Sequence, residues 1–306
     1  MKIGILSFIS AGKRAEYEEI RLKKEAQALG HTARIFRANT CQLVYDRHHP
    51  SVLYDGQHFP HYDVMIPRVR LLKDIELRTA VVKQLQLMKV PMFNRYSSIC
   101  RAKNKLRTLQ ILDHEDIPIP KTLVVHGPEY VDDAVKKVGG LPVILKSTAG
   151  SYGAGVVIAE SKRAVHSALD ALIASSWNNL ILIQEYVKEA RGSDTRVFVV
   201  SGKVIGAMRR QAKRGEFRSN MELGGDAVAV SPSSEMTDIA LQATKALNLQ
   251  VAGVDIIQTK RGPAVMEVNA NPGFKGLEEA TGFNIAREII QSAVVYAKRQ
   301  KAKREK

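Results

Sequence analysis

At 306 residues, 45% hydrophobic and 25% charged, the chain is long enough for two domains or three small lobes, and too rich in aliphatic residues for global disorder. No stretch approaches the roughly 18 consecutive apolar residues of a membrane-spanning helix, and MKIGILSFIS reads as a first strand rather than a signal peptide. The net charge of +15 favours anionic partners such as nucleotides, acidic peptides or nucleic acid. Two cysteines, Cys41 and Cys100, provide neither a disulfide framework nor metal-ligand spacing, so a reducing, cytoplasmic setting is expected. Part of the charge sits in KRQKAKREK at the end of the chain, where a solvated, solubilising tail is as good a reading as a binding one.

In chain order, residues 1–95 alternate strand and helix: IGILSF, then the helical AEYEEIRLKKEAQALG with Gly30 placed to end it, then TARIFRA, YDVMIP and VPMFN, with IELRTAVVKQLQLM as a helix between the last two. That alternation predicts an open parallel α/β sheet. SICRAKNKLRTLQILDHED predicts a helix capped by Ser97 or Ser98, and IPIPKTLVV an extended connector. From residue 141 the strands come closer and pair as hairpins: LPVILKS with GVVIAES, TRVFVVS with KVIGAMRR, VAGVDIIQT with PAVMEVN. Helices at about 161–175, 234–248 and 284–300 complete an α+β half.

The segment VDIIQTKRGPAVMEVNANPG carries the strongest chemical signal. Two apolar runs flank Lys260-Arg261-Gly262, which predicts a hairpin. With Arg261 as pivot, Asp255 lies opposite Glu267, their Cβ atoms about 4.5–5.5 Å apart, with Asn269 on the same face. Apolar neighbours place the pair away from a free sheet edge, and two facing carboxylates repel. A divalent cation resolves that conflict, and two acids with an amide oxygen suit Mg²⁺; a register slip leaving one acid in solvent is the alternative. In KSTAGSYGAGV, Gly150, Gly153 and Gly155 allow backbone N–H groups to approach phosphates, beside Lys146 at the end of an apolar strand. The loop is neither a Walker A motif nor a dinucleotide fingerprint, and a plain mobile hairpin loop fits it equally well. Glu185 and Tyr186 end another apolar strand, before a polar loop with Asp194 and Arg196; an ordinary strand exit reads the same way. MRRQAKRGEFRSNMELGG is a basic loop with Arg209, Arg210, Lys213, Arg214, Arg218, Ser219 and Asn220, and in isolation such a run is usually a solvated face.

Together these segments resemble the ATP-grasp superfamily over nearly the whole chain, and most closely the RimK-type α-L-glutamate ligases that modify a small-subunit ribosomal protein. RAKNK at 101–105, the Lys146 strand with its glycine loop, QEYVKEA at 184–190, DTRVFVV at 194–200, FRSN at 217–220, AGVDI at 252–256 and MEVNANPGFKGLEEATG at 266–282 carry the likeness. The resemblance implies a pre-ATP-grasp α/β domain with a parallel sheet at 1–95, then an α+β ATP-grasp fold: a small lobe at 96–183 with the glycine-rich lid, a large lobe at 184–300 with the metal site, and a basic tail at 301–306.

It also implies roles. Lys105, Lys146 and the loop glycines Gly150, Gly153 and Gly155 contact ATP phosphates; Glu185, Tyr186 and Asp194 hold adenine and ribose; Arg218, Ser219 and Asn220 complete the nucleotide site. Asp255, Glu267 and Asn269 bind two Mg²⁺ or Mn²⁺ ions. Arg210 is the candidate catalytic residue, stabilising an acyl phosphate that an amine attacks. The pattern often sets its arginine pair one place later, where Gln211 stands here, which bears on Arg210's role and on acceptor choice. The implied substrates are ATP, glutamate and the C-terminus of an acidic protein or peptide, with a homo-oligomer, by resemblance a tetramer. A ligase for a small-molecule or carrier-protein amine, and a ribosome- or RNA-binding protein with a regulatory ATP site, are the alternatives.

Overall fold

The computed structural model describes residues 1–10, 13–47, 49–69, 75–147, 155–175, 180–213 and 226–305. Strand β1 (Lys2–Ser7) leads into helix α1 (Tyr17–Ala28) and strand β2 (Thr32–Arg37). α1 opens on a capping box between Glu16 and Glu19. It closes as expected at Gly30, whose φ is +76°. The Gly30 amide donates to Gln27 O and the His31 amide to Ala26 O, the two contacts of a Schellman motif. A further strand, β6 (Val64–Arg68), runs parallel to β1 on the side away from β2, giving the expected parallel sheet. The predicted strand VPMFN contributes one bridge, Met92 to Met65.

Sequence periodicity did not disclose an antiparallel meander between β2 and β6: β3 (Cys41–Val44), β4 (Ser51–Tyr54) and β5 (Gln57–His58). Its signal is the Asp55-Gly56 turn, with both residues at positive φ, the hairpin chemistry of two-residue loops. The helix expected over IELRTAVVKQLQLM is two pieces, α2 (Ile75–Arg78) and α3 (Ala80–Leu87). The one expected after Asn94 is likewise two, α4 (Tyr96–Lys103) and α5 (Lys105–His114). Asn104 makes the break: its backbone is extended and its side-chain oxygen accepts the Arg107 amide, capping α5. Arg95, not Ser97 or Ser98, occupies the start of α4, and Ser98 turns inward to donate to Asn248 O at 2.7 Å. Asn104→Ala is expected to cost about 1 kcal/mol of stability, read from the urea midpoint.

The small lobe contains β7 (Thr122–Val125), α6 (Val131–Val138), β8 (Val143–Ser147), β9 (Val156–Ala159), α7 (Lys162–Ser175) and β10 (Ile181–Glu185), in a sheet of order β7-β10-β8-β9. IPIPKTLVV is thus a connector only as far as Lys121. The large lobe contains β11 (Ser193–Val200), β12 (Lys203–Gln211), β13 (Asp226–Val230), α8 (Ser234–Ala246), β14 (Val251–Thr259), β15 (Gly262–Asn269), α9 (Lys275–Thr281) and α10 (Ile285–Ala302). Its antiparallel sheet has the order β13-β12-β11-β14-β15. All three expected hairpins form, and the α/β domain is followed by a two-lobed α+β fold as expected.

Packing divides the molecule differently from chain order. Leu6, Phe36 and Met65 of the N-terminal domain share one core with Val197, Val254 and Val268 of the large lobe. Ile3, Ile5 and Phe93 share another with Phe198, Phe274 and Ile289. Val125, Val143, Leu145 and Ile183 form a core within the small lobe. Buried Asn94 fastens the shared part. Its Nδ2 donates to Val251 O and Ala270 O, and its Oδ1 accepts the Val251 amide, fixing the loop that follows β15.

Candidate active site

The β14–β15 hairpin places Asp255 opposite Glu267, the register expected, but by a different route. The turn is Lys260-Arg261, with Thr259 paired to Gly262; counted from that turn, Asp255 falls one residue out of step. A bulge between Asp255 and Ile256 takes up Met266 and restores the pairing. The core shows the consequence: Val265 and Val268, three residues apart, pack into the same cluster as Val254 and Ile256. Glu267 and Asn269 therefore lie on the Asp255 face, and Asn269 Oδ1 is oriented by accepting the Asn271 amide at 2.9 Å. The pair is expected away from a free edge: β14 is interior, while β15 ends the sheet, where its Val265 amide donates to Pro118 O.

The countercharge also differs from the expected cation. Arg196 on β11 faces Asp255 in register and binds it with Nε and Nη2, both at 2.7 Å. Arg210 on β12 faces Asp194, binds it at 2.7 Å through Nε and Nη2, and reaches Asp255 Oδ2 at 2.9 Å. Two acids and two arginines thus alternate over one face of β12, β11 and β14. Asp255, Asp194 and Arg210 are buried, at 4%, 4% and 3% exposure. Burial pushes the Asp255 carboxyl up, but Arg196 and Arg210 outweigh it and hold it at about 2. Burial works against the Arg210 charge, and Asp255 and Asp194 raise its pKa above the ordinary value. Arg210, the candidate catalytic residue, has Nε and Nη2 committed to carboxylates. Arg196 was missed as a partner of Asp255; its signal is the Asp194-x-Arg196 alternation at the start of an apolar strand.

Glu267 is exposed, and its charge acts on two lysines. Lys105 begins α5, and Lys146 extends from β8 of the small lobe. Burial pulls the Lys146 ammonium down to about 8, with Glu267 opposing and Lys105 adding to the depression. Burial also lowers Lys105, against Glu267. Lys146 Nζ donates to Gln184 Oε1 at 2.7 Å, and Gln184 Nε2 to Thr122 Oγ1 at 2.8 Å, so β10 and β7 aim the ammonium. Two lysines beside one acid, with the positive end of α5 added, make a concentrated anion site between lobes.

Glu185 ends β10, accepting the Lys121 amide at 2.8 Å and pairing with Arg261 at the tip of the β14–β15 hairpin at 2.5 Å. Tyr186 follows it. Gly155 has φ +73°, and its carbonyl accepts the Ser147 amide. Gly150, Gly153, Arg214, Arg218, Ser219 and Asn220 lie outside the described residues.

Solved structures share this architecture from end to end. The ATP-grasp ligase PsnB complexed with minimal precursor superposes with a TM-score of 0.74 at 22% identity, covering 96% of this chain and 98% of that one. A RimK domain protein ATP-grasp from Sphaerobacter thermophilus DSM 20745 gives 0.72 at 22% identity, covering 96% and 100%. At these identities the likeness defines the fold, that of ATP-grasp. The family is shown by sequence: residues 1–99 match the RimK PreATP-grasp domain and residues 102–293 the RimK-like ATP-grasp domain. A probable alpha-L-glutamate ligase of Vibrio vulnificus (strain YJ016) is 40% identical over 293 residues, 95% of this chain and 94% of the relative. One from Aeromonas salmonicida (strain A449) is 41% identical over 300 residues, 98% of each. The chain belongs to the RimK-like ATP-grasp family and is an ATP-dependent ligase that forms C–N bonds.

Proposed function

We propose that this ligase adds L-glutamate to the C-terminus of an acidic protein or peptide. The observation that carries the reading is the cluster of Lys105, Lys146 and Glu267 beside Asp255, an anion site adjoining hard-oxygen donors. Relatives named as glutamate ligases supply the amino acid. In this account Lys105 and Lys146 hold ATP phosphates, and Glu185, Tyr186 and Asp194 hold adenine and ribose. Asp255, Glu267 and Asn269 suit Mg²⁺, which when bound neutralises phosphate charge; Arg196 and Arg210 then share Asp255 with it. The acceptor's terminal carboxylate takes the γ-phosphoryl group, giving an acyl phosphate and ADP. The glutamate amine attacks the acyl carbon, the C–O bond to phosphate breaks, and phosphate and a proton leave as the amide forms. Arg210 contributes its charge to that centre. A division at 1–95, 96–183 and 184–300, with its second boundary moved past Glu185 so that β10 stays whole, a second metal ion, a cytoplasmic setting, a small-subunit ribosomal protein as acceptor and a homotetrameric assembly belong to the same reading by family resemblance.

Lys146 gives a pH prediction. Its folded pKa of about 8 lies below the ordinary 10.5, so the ligand-free protein loses that proton first and gains stability as pH rises from 8 to 10.5. Phosphate binding favours the protonated form, so ATP affinity is expected to fall across pH 8–9 with proton uptake on binding. Lys146→Arg should flatten that profile, as read by calorimetry in two buffers of different ionisation enthalpy.

The acidic acceptor is tested by salt. Charges in an open groove are screened over about 8 Å at physiological ionic strength. The KM for a C-terminally acidic peptide should rise with salt more than the KM for ATP. Equal salt sensitivity, or preference for a neutral small amine, retires the acidic acceptor in favour of a small-molecule ligase.

A further inference from the structure

The end of α10 and the residues behind it carry Lys298, Arg299, Lys301, Lys303 and Arg304, all exposed, against one acid, Glu305, which lies 3.9 Å from Lys301. Within the helix, Lys298, Arg299 and Lys301 spread over about 160° of its circumference. They face away from Ala293 and Ala297, which hold the other side in the core. Both flanks of the helix extend the charge. On one, Arg95, the residue before α4, donates from Nε to Tyr296 Oη at 3.2 Å and from Nη2 to Gln300 Oε1 at 3.4 Å. Both acceptors are neutral, so the guanidinium is fixed in place while, among the described residues, no carboxylate matches its charge. Beside it, Lys83 of α3 stands over the Tyr96 ring, 5.9 Å from its centroid. On the other flank, His31 lies 3.5 Å from the Met1 amino group, within the influence of Lys298. Burial, that amino group and Lys298 all lower the His31 pKa, and only a backbone hydrogen bond at Gly30 opposes them.

A band of like charge therefore crosses the molecule from Lys83 through Arg95 and α10 to His31. Such a band repels itself, in a chain already at +15, and a polyanion relieves the repulsion. The tyrosines within the band decide how a polyanion is held. Lys83 lies over the face of Tyr96, while Tyr296 packs edge-on against Phe93 at 5.4 Å and accepts the Arg95 hydrogen bond. Both rings are engaged by the protein, so neither serves as a stacking platform for an unpaired base. What remains is a set of cations suited to phosphates, which position a nucleic acid without reading its sequence. That favours a duplex, whose bases are already stacked.

We propose that this face binds the phosphate backbone of duplex RNA. The choice of RNA rests on the ligase reading above, in which the acceptor is a ribosomal protein; the face adds a docking surface to that ligase and does not replace its chemistry. Asn94, the neighbour of Arg95, holds Val251 at the start of β14, and Asp255 lies four residues further on, roughly 13 Å of strand. RNA held on this face thus leaves the ligase centre open to the acceptor's C-terminus.

The test measures binding of the full-length enzyme to a short RNA duplex by fluorescence anisotropy, with a poly-L-glutamate peptide and phosphatidylglycerol vesicles as the competing polyanions. With about six phosphate contacts, affinity for the duplex should fall about 10³-fold between about 50 and 200 mM salt. Arg95→Gln, Lys298→Gln and Arg299→Gln, combined, should weaken duplex binding at the low-salt end by about 10-fold or more and reduce the salt slope by about 3. The combination Arg95→Lys, Lys298→Arg and Arg299→Lys keeps the charges and should keep the slope. Ligation of a free acidic peptide should be unchanged in both, because these exposed side chains lie away from Asp255 and the two lysines. Duplex affinity unchanged by the three glutamines overturns the proposal and leaves the ligase reading standing. Binding of poly-L-glutamate or of vesicles as tightly as the duplex, lost with the same glutamines, overturns it in favour of an acidic protein or a membrane. Duplex binding lost with the glutamines in an enzyme that forms no glutamyl product supports the face and removes the ligase reading instead.

Discussion

Arg210→Met is expected to lose about 3–5 kcal/mol of folding stability, the range for removing one partner of a buried ion pair. The guanidinium is the shared countercharge of two buried carboxylates, and methionine leaves Asp194 without its bidentate partner and Asp255 with Arg196 alone. Pairing the change with Asp194→Leu should recover much of the loss, since an apolar pair of similar size leaves no unpaired charge. Urea denaturation of the two single variants and the double variant measures the coupling. The same network predicts an acid limb. Asp255 is depressed from 3.8 to about 2, so its contribution is complete above the ordinary carboxylate range and is lost as pH falls from 3.8 toward 2. Arg196→Met should shift that limb to higher pH.

Glu267→Gln is expected to lower amide formation by roughly 10³-fold, the several kcal/mol that metal-assisted charge neutralisation contributes. The fold should survive, because Glu267 is exposed; what stability changes is the part carried by the charges of Lys105 and Lys146, where Glu267 opposes the effect of burial. No gain from relieved repulsion is expected, since Arg196 and Arg210 already neutralise Asp255. Lys105 and Lys146 would lose an acidic neighbour that supports their charge, so both should titrate lower in the variant. Near-normal ligation at ordinary Mg²⁺ concentration would remove Glu267 from the metal site.

The sequence was most informative where chemistry interrupts periodicity. An acid inside the apolar run of β14, answered by another inside β15, announced the hairpin and its register. The expected register starts from a misplaced turn, and only the bulge at Met266 makes it right, because strand alternation carries no record of an inserted residue. The broken helix at Asn104 was hidden because its flanks continue one amphipathic pattern, while the break depends on a cap within it. Helix α6 lies outside the expected elements, though Val131, Ala134, Val135 and Val138 make an apolar stripe that ends at Gly139. Arginine countercharges could not be read from the hairpin alone. Asp255 looked unpaired because Arg196 and Arg210 lie 59 and 45 residues earlier in the chain and meet it only through the order β12-β11-β14. The two lysines share that origin: one begins α5 and the other lies in β8, 41 residues further on, and only the tertiary fold brings both to Glu267.

Mass spectrometry of a C-terminally acidic peptide, incubated with the enzyme, ATP, Mg²⁺ and L-glutamate, tests the central claim most directly. The account predicts peptide products heavier by whole glutamyl residues at the C-terminus, one ADP released per residue added, and neither product when Glu267→Gln replaces the wild type. ADP release with no glutamyl product on any acidic peptide, or glutamyl transfer that proceeds without ATP, would contradict it.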